Sequence, residues 1–434
     1  MAIKQNFPDI KPSLNLDFAN TKSLDPRIDF TRASTATYYD GQTFAKAEEN
    51  LLLRSQDFGA NWSDSGISIE SDASTAPDGS TTADKIVEDT SSGIHRLTQG
   101  INDPPSTLTF SLRVKPDSRD FITLSLSQGF TQRFVSATYD MTSSGTVSQT
   151  AVGSGQGDLV STSIKQINGG FFEISITGSA GNITVATHIS LSNSATPSLD
   201  DFGRATYTGD GSSGLFIWGA QLEQRDQVTA YTPTTDQPIT NYIPVLETAS
   251  THEPRFDHDP VTGESKGLLI EEQRTNLFTY SEQFDDAAWV KQNAVIQSNQ
   301  IIAPDGTLTG DKLVENTTTS NHDIYQNVSV VPTSYASSYF LKAGERTKVA
   351  FRNGASNVGI INLVTGVFES LSGLGSPQIQ NAGNGWFRVS ATRANGDTVT
   401  RSFGVYLLDG SGNASYTGDG YSGIYIWGAQ IEES

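Results

Sequence analysis

The 434-residue sequence contains no cysteine. Disulfide frameworks, thiolate metal sites and cysteine nucleophiles are therefore excluded. Apolar residues are scarce at 35%, and no apolar run is long enough to span a membrane. Basic clusters are absent too: 28 Lys and Arg stand against 48 Asp and Glu, a formal charge of −20. Such a surface repels a phosphate backbone, which argues against nucleic-acid binding. The start, MAIKQNFPDIKPSL, lacks an apolar signal core, so no secretion signal is expected. No Gly-x-Ser-x-Gly elbow, His-Glu-x-x-His, P-loop or dinucleotide fingerprint occurs, which leaves catalysis with little support. With 48 acidic residues a glycosidase-like carboxylate pair can always be found, so abundance alone points to no enzyme. Ala- or Leu-rich helical runs are missing, while 40 Gly with many Ser, Thr, Asn and Asp indicate turns. The expected fold is all-β.

What the chain does have is an internal duplication. Tyr207 to Glu223 reads YTGDGSSGLFIWGAQLE, and Tyr416 to Glu432 reads YTGDGYSGIYIWGAQIE, 209 positions later. A Thr-Gly-Asp-Gly turn leads into a strand apolar on both sides near its start, which belongs inside a sheet. Simple alternation puts Phe216, Trp218, Ala220 and Leu222 on one face, and Tyr425, Trp427, Ala429 and Ile431 likewise. Upstream, Asn50, Leu51, Ser55, Phe58 and Trp62 match Asn276, Leu277, Ser281, Phe284 and Trp289. An offset of 227 relates Ala76-Pro77-Asp78-Gly79 to Ala303-Pro304-Asp305-Gly306, Asp84-Lys85 to Asp311-Lys312, Glu88 to Glu315, His95 to His322 and Gln99 to Gln326. Scattered identities at a constant offset mark a duplicated unit. From Pro77 to Tyr207 is 130 positions and from Pro304 to Tyr416 is 112. The 18 extra residues are expected as a longer loop between about Ser143 and Ser163.

These patterns predict two tandem β-sandwiches, residues 49–235 and 273–434, with a linker hairpin at 236–272. Residues 1–48 form a small opening segment in which Asp40-Gly41 reads as a hairpin turn between two short strands. Too small and polar to make a strong core alone, it is expected to pack on a neighbouring domain, another chain or a mounting surface. Within the linker, the Pro-Val-Thr-Gly turn at 260–263 reads as a second hairpin.

NLLLRSQDF, APDGSTTADKIVED, NGWFRVS and the YTGDG-to-IWGAQ strand together resemble a module of tailed-bacteriophage virion proteins, the head-spike or head-fibre domain. That module is similar to carbohydrate-binding modules with a jelly-roll sandwich. FTRASTATYYDG and PRFDHDPVTGESKGLLIEE resemble its connecting pieces, and the resemblance covers most of residues 30–434. It implies a non-enzymatic virion protein: a head fibre, a capsid decoration or a tail-associated component. Such a protein, assembled in the host cytoplasm, has no need of disulfides. Its partners would be other virion proteins, held through the opening segment, and host or environmental glycans. Oligomers, commonly trimers in fibres, are also implied. The rival readings are a purely architectural protein and a glycan depolymerase.

Jelly-roll sugar-binding modules often hold a structural Ca²⁺, and turn carboxylates are suitable ligands. The repeated Asp78, Glu88, Asp210 and Glu223, with Asp305, Glu315, Asp419 and Glu432, are the Ca²⁺ candidates. Asp before Gly is equally ordinary turn chemistry. Asp84-Lys85 and Asp311-Lys312 read as surface charges. One His per repeat, His95 or His322, cannot make a zinc site without nearby partners. Asp257-His258-Asp259 resembles a ligand cluster but falls in the connector, where a turn role is favoured. Trp62, Trp289, Trp218 and Trp427 read as core rather than sugar platforms. Tyr421, matched by Ser212 in the first copy, is the candidate glycan contact.

Overall fold

The computed structural model describes residues 14–102, 107–128, 133–142, 147–152, 158–179, 184–353, 357–372 and 374–434. The chain divides into two compact units, residues 48–240 and residues 1–47 with 241–434. Among the described residues no helix is long and apolar enough to cross a membrane.

The first repeat supplies eight core strands: β1 (Ala83–Glu88), β2 (Arg96–Asn102), β3 (Leu108–Pro116), β4 (Phe121–Gln128), β5 (Phe134–Asp140), β6 (Phe172–Ser179), β7 (Thr184–Ser192) and β8 (Gly214–Glu223). They form two antiparallel sheets in the orders β1-β8-β3-β6 and β2-β7-β4-β5. Edge strands Ile67–Ser74 and Asp158–Gln166 widen the former, and Ser63–Ser65 and Val147–Val152 the latter. The second repeat supplies β9 (Gly310–Glu315), β10 (Asp323–Val330), β11 (Ser334–Ala343), β12 (Lys348–Asn353), β13 (Asn357–Asn362), β14 (Trp386–Ala394), β15 (Val399–Leu407) and β16 (Gly423–Glu433). Its sheets are β9-β16-β11-β14 and β10-β15-β12-β13, the same orders again. Each order is that of a jelly roll, as expected. The cause is alternation: in β4, Ile122, Leu124 and Leu126 enter the core while Thr123, Ser125 and Ser127 turn outward.

β8 departs from alternation at Gly219, whose φ is 64°, and β16 does so at Gly428, φ 59°. The register shifts there by one residue, a β-bulge. Leu215 and Ile217 before the bulge and Ala220 and Leu222 after it all enter the core. Phe216 and Trp218 point to the sheet's other side. The predicted shared face of Trp218 with Ala220 and Leu222 is thus wrong, because the bulge changes parity mid-strand. The same holds in β16, where Ile424, Ile426, Ala429 and Ile431 are core and Trp427 is not.

Bulging orphans backbone groups, and the repeated residues at the head of each copy answer them. Asn50, fully buried, donates to the Ala220 carbonyl at 2.9 Å and accepts from the Leu222 amide at 3.2 Å. Asn276 does the same for Ala429 and Ile431 at 3.0 Å each. The amides of Ala220 and Ala429 donate to the carbonyls of Ser55 and Ser281.

Three further expectations need correction. Asp40-Gly41 does not reverse the chain: Ala36–Asn50 is one 15-residue strand, paired with Ile239–Ala249. The Asp40 carboxylate accepts the Gln42 and Thr43 amides locally, which mimics a turn signal. In the second unit this ribbon contributes Ala47 and Ile243 to the cluster over Trp427, Phe340 and Trp386. The stretch 143–163 contains two strands, Val147–Val152 and part of Asp158–Gln166, with 143–146 and 153–157 outside the described residues. Seven of the 18 extra residues lie elsewhere: Leu191 to Tyr207 spans 16 positions where Leu407 to Tyr416 spans 9. Asp84 and Asp311 are not surface charges but are 2% and 1% exposed. Asp84 accepts the Phe58 and Asp72 amides, and Asp311 those of Phe284 and Asn299. The linker's Pro-Val-Thr-Gly turn does join two short antiparallel strands, Phe256–His258 and Ser265–Leu268.

A Cβ at position 428 would sit 3.0 Å from Phe340 and on backbone that a branched residue resists. Gly428→Val is expected to destabilise the second sandwich by about 1–3 kcal/mol. Urea unfolding checks it; an unchanged midpoint would contradict the account of the bulge.

Candidate functional site

The repeated carboxylates do not gather as a cation cage. Glu88 has no exposed side-chain surface and accepts from Arg119 Nε at 2.8 Å and Nη2 at 2.5 Å. The Tyr207 hydroxyl at 2.6 Å and the Asp210 amide at 2.8 Å complete its shell. Glu315 repeats this with Arg346, Tyr416 and the Asp419 amide, at 2.7, 2.6 and 2.9 Å for Arg346 Nε, Tyr416 and Asp419. So Glu88 and Asp210 do meet, as do Glu315 and Asp419, but around a guanidinium. Despite burial, these donors hold the Glu88 carboxyl below its ordinary range.

The other candidates stand apart. Asp78 and Asp305 each cap their own turn through Ser80 and Thr307. Glu223 is buried, accepts from Thr229 Oγ1 at 2.5 Å, and burial pushes its carboxyl up. Glu432 accepts from Gln430. Among the described residues no group of three or more His, Asp or Glu side chains could hold a metal ion. His95 and His322 pack on Tyr207 and Tyr416 at 4.5 and 4.7 Å. Asp257 and His258 bond Tyr39, and Asp259 caps the 261–262 turn.

Aromatics fare differently. Trp62 and Trp289 are buried, donating to the carbonyls of Arg54 and Tyr280. Trp218 and Trp427 are also buried, each donating to a threonine, Thr82 or Thr309. Tyr421 is half-buried, and one face of its ring lies 4.5 Å from Lys312 Nζ. Lys312 in turn pairs with Glu345 at 2.8 Å.

The two copies differ on the outer face of the second sheet of each sandwich. In the second copy, register aligns Arg352 with Gly404 and Gly404 with Tyr325. The next row holds Ala350, Tyr406 and Asp323. Gly404 leaves the floor bare, and Arg352 stacks with its guanidinium 3.7 Å from the Tyr325 centroid and 5.2 Å from that of Tyr406. Asp323, fully buried, forms the ion pair beneath. Burial pushes its carboxyl up to about 6, against the pull of Arg352. Asp323 Oδ1 and Arg352 Nε have no hydrogen-bond partner. Asn327 and Ser402, bonded at 2.7 Å, continue the face. This is a charge-balanced aromatic and guanidinium surface with polar groups around it. It suits a neutral ring carrying hydroxyls, which both donate and accept.

In the first copy the equivalent positions are Ser125, His188 and Thr98, then Thr123, Ser190 and Arg96. No tyrosine stands there, and the one ring is the His188 imidazole in place of Gly404. Along the β2 edge of this sheet runs a groove of about 990 Å³, lined by Leu51, Leu53, Trp62, Thr98, Gln99 and Ile101 among others. Gln99 is tied at both ends to the Leu53 backbone, so it shapes this wall. Sequence reasoning missed Asp323, Tyr325, Arg352 and Tyr406. None of them repeats, and repetition was the signal followed.

No family model and no curated protein matches this chain. Among solved structures, the N-terminal CBM22-1-CBM22-2 tandem domain of Paenibacillus barcinonensis Xyn10C is similar over 93% of this chain and 99% of that one. The identity is 10% and the TM-score 0.26, a likeness that carries no argument about ligand or activity. The all-β tandem sandwich architecture rests on the strands and sheets themselves.

Glu88→Gln removes the charge that Arg119 and Tyr207 were built to meet. It is expected to cost the first sandwich about 2–3 kcal/mol at neutral pH. The Glu88 pKa is depressed in the fold, so its contribution is present above the unfolded value and lost as pH falls through the lower folded one. Thermal melts from pH 7 to pH 2 should therefore show an acid-dependent loss in the parent that is smaller in the variant. Parallel curves would rule the clasp out as its source.

Proposed function

We propose that this chain is a non-enzymatic virion component of a tailed phage, mounted on the head or tail, that attaches to host or environmental glycans. The glycan reading rests on one observation, the stacked Tyr325–Arg352 surface over Asp323 on the second sandwich. That surface sits outside the scaffold shared by the two copies, and nothing in the repeat requires it. The virion reading rests on the sequence resemblance of the repeated motifs. Under it, residues 1–48 hold a neighbouring virion protein, the chain works as an oligomer, and weak single sites gain strength from copy number.

Labelled protein, presented as an oligomer, would be bound to bacterial cells before and after periodate oxidation of their surface glycans. Binding should be periodate-sensitive, and Tyr325→Ala or Arg352→Ala should weaken it at least tenfold. Removing an aromatic platform costs about that much. Binding that survives both variants would move the site off this face. Absence of binding to every strain tested would leave an architectural virion protein without a glycan ligand.

A further inference from the structure

On the outer face of β2-β7-β4-β5, the first sandwich buries polar atoms that the fold does not satisfy. Ser125 and Ser190 are fully buried and His188 is 4% exposed. Ser125 Oγ, Ser190 Oγ, His188 Nδ1 and Arg96 Nε have no hydrogen-bond partner. Buried polar atoms are almost always paired, so a group of four unpaired ones needs a reason. They are neighbours: Ser125 lies opposite His188, Ser190 lies opposite Arg96, and His188 and Ser190 are two apart on β7. Around them the same face is satisfied. Thr123 bonds Thr138 at 2.9 Å, Ser136 donates to the Gly203 carbonyl at 2.8 Å, and Ser127 meets His188 Nε2 at 2.8 Å.

We infer that this patch, beneath the segment of residues 193–204, is a binding site for an oxyanion: a phosphate, sulfate or carboxylate group. All four unpaired atoms can act as donors. In the tautomer in which Ser127 donates to Nε2, the His188 proton is on Nδ1 and that atom is a donor. Burial, with the fields of Arg204 and Arg96, keeps that imidazole neutral, so it serves as a donor without competing for protons. Arg204 brings a second guanidinium close enough to act on both His188 and Arg96. The carboxylates nearby are accounted for. Asp200 is held by Arg204 at 2.6 and 2.8 Å and by the amides of Phe202 and Arg204. Asp64, exposed, is the other acid in the field of Arg96. Each of the four unpaired atoms can donate, and the guanidinium beside the two hydroxyls favours a ligand that is an acceptor and anionic. The covering segment is seven residues longer than its counterpart in the second copy, and Gly203 at its end rests on Ser136.

The site stands independently of the glycan reading for the second sandwich. Its ligand could reach it as a free inorganic ion or as a charged substituent of an acidic polysaccharide. The full chain would be titrated calorimetrically with sodium phosphate, sodium sulfate, a uronate-bearing oligosaccharide and a neutral oligosaccharide, against sodium chloride at matched ionic strength. Saturable binding of at least one oxyanion is expected, weakened tenfold or more in Arg96→Gln and also in the milder Ser190→Ala. It should be unchanged in Tyr325→Ala. Tighter binding of the charged oligosaccharide would identify a polysaccharide substituent, and binding of the inorganic ions alone a free ion. Either supports the site. No saturable oxyanion binding by the parent would overturn it, as would equal binding by folded Arg96→Gln and Ser190→Ala. Loss of neutral-sugar binding in Tyr325→Ala would bear only on the other face.

Discussion

A single inserted residue in the last strand of each copy fixes much of the architecture. Without the bulges at Gly219 and Gly428, β8 and β16 would send either the earlier pair (Leu215 and Ile217, or Ile424 and Ile426) or the later one (Ala220 and Leu222, or Ala429 and Ile431) out of the core. With them, one strand lines the core along its whole length and still places a tryptophan on the other side. The cost is a set of orphaned backbone groups in a strand that lies inside its sheet, away from water. Asn50 and Asn276 meet that cost with side-chain amides, and Ser55 and Ser281 with carbonyls. The head of each repeat therefore depends on its tail, across more than 150 residues of chain.

The same logic explains the other identities between the copies. Asp84 and Asp311 hold the amides of Asp72 and Asn299, two non-glycine residues with φ of 54° and 56°. Glu88 and Glu315 join a core strand, an arginine loop and the Thr-Gly-Asp-Gly turn. Gln99 and Gln326 grip the backbone at Leu53 and Thr279. Buried polar residues of this kind are replaceable only together with their partners, because a half-satisfied group is worse than none. Such residues repeat because the fold needs them, and this is also why the repeated carboxylates read from the sequence as ligand candidates.

Legibility in the sequence followed from this. The duplication, the all-β class and the sandwich pair could be read because turn chemistry and alternation act locally. The parity of β8 could not: a glycine between Trp218 and Ala220 looks like any strand glycine until the register shows the extra residue. Asp40-Gly41 misled because an aspartate can satisfy the next amides while the strand runs on to pair with Ile239–Ala249. Asp323, Tyr325, Arg352 and Tyr406 come from three strands that meet only through sheet pairing, and no spacing links them.

The equivalent face of the other copy shows what this arrangement permits. Where the second sandwich has Asp323, Tyr325, Arg352, Gly404 and Tyr406, the first has Arg96, Thr98, Ser125, His188 and Ser190. The exchange puts Arg96 where Asp323 stands, removes the Arg352 guanidinium and two tyrosines and fills a glycine with an imidazole, yet the strand orders of the two sheets stay the same. It can do so because the outer face contributes nothing to the bulge repair or to the Glu88 and Glu315 clasps. Side chains there answer to whatever covers them. Two copies of one scaffold can thus present chemically opposed faces, one charge-balanced and aromatic, the other rich in donors, without disturbing the contacts that hold either sandwich together.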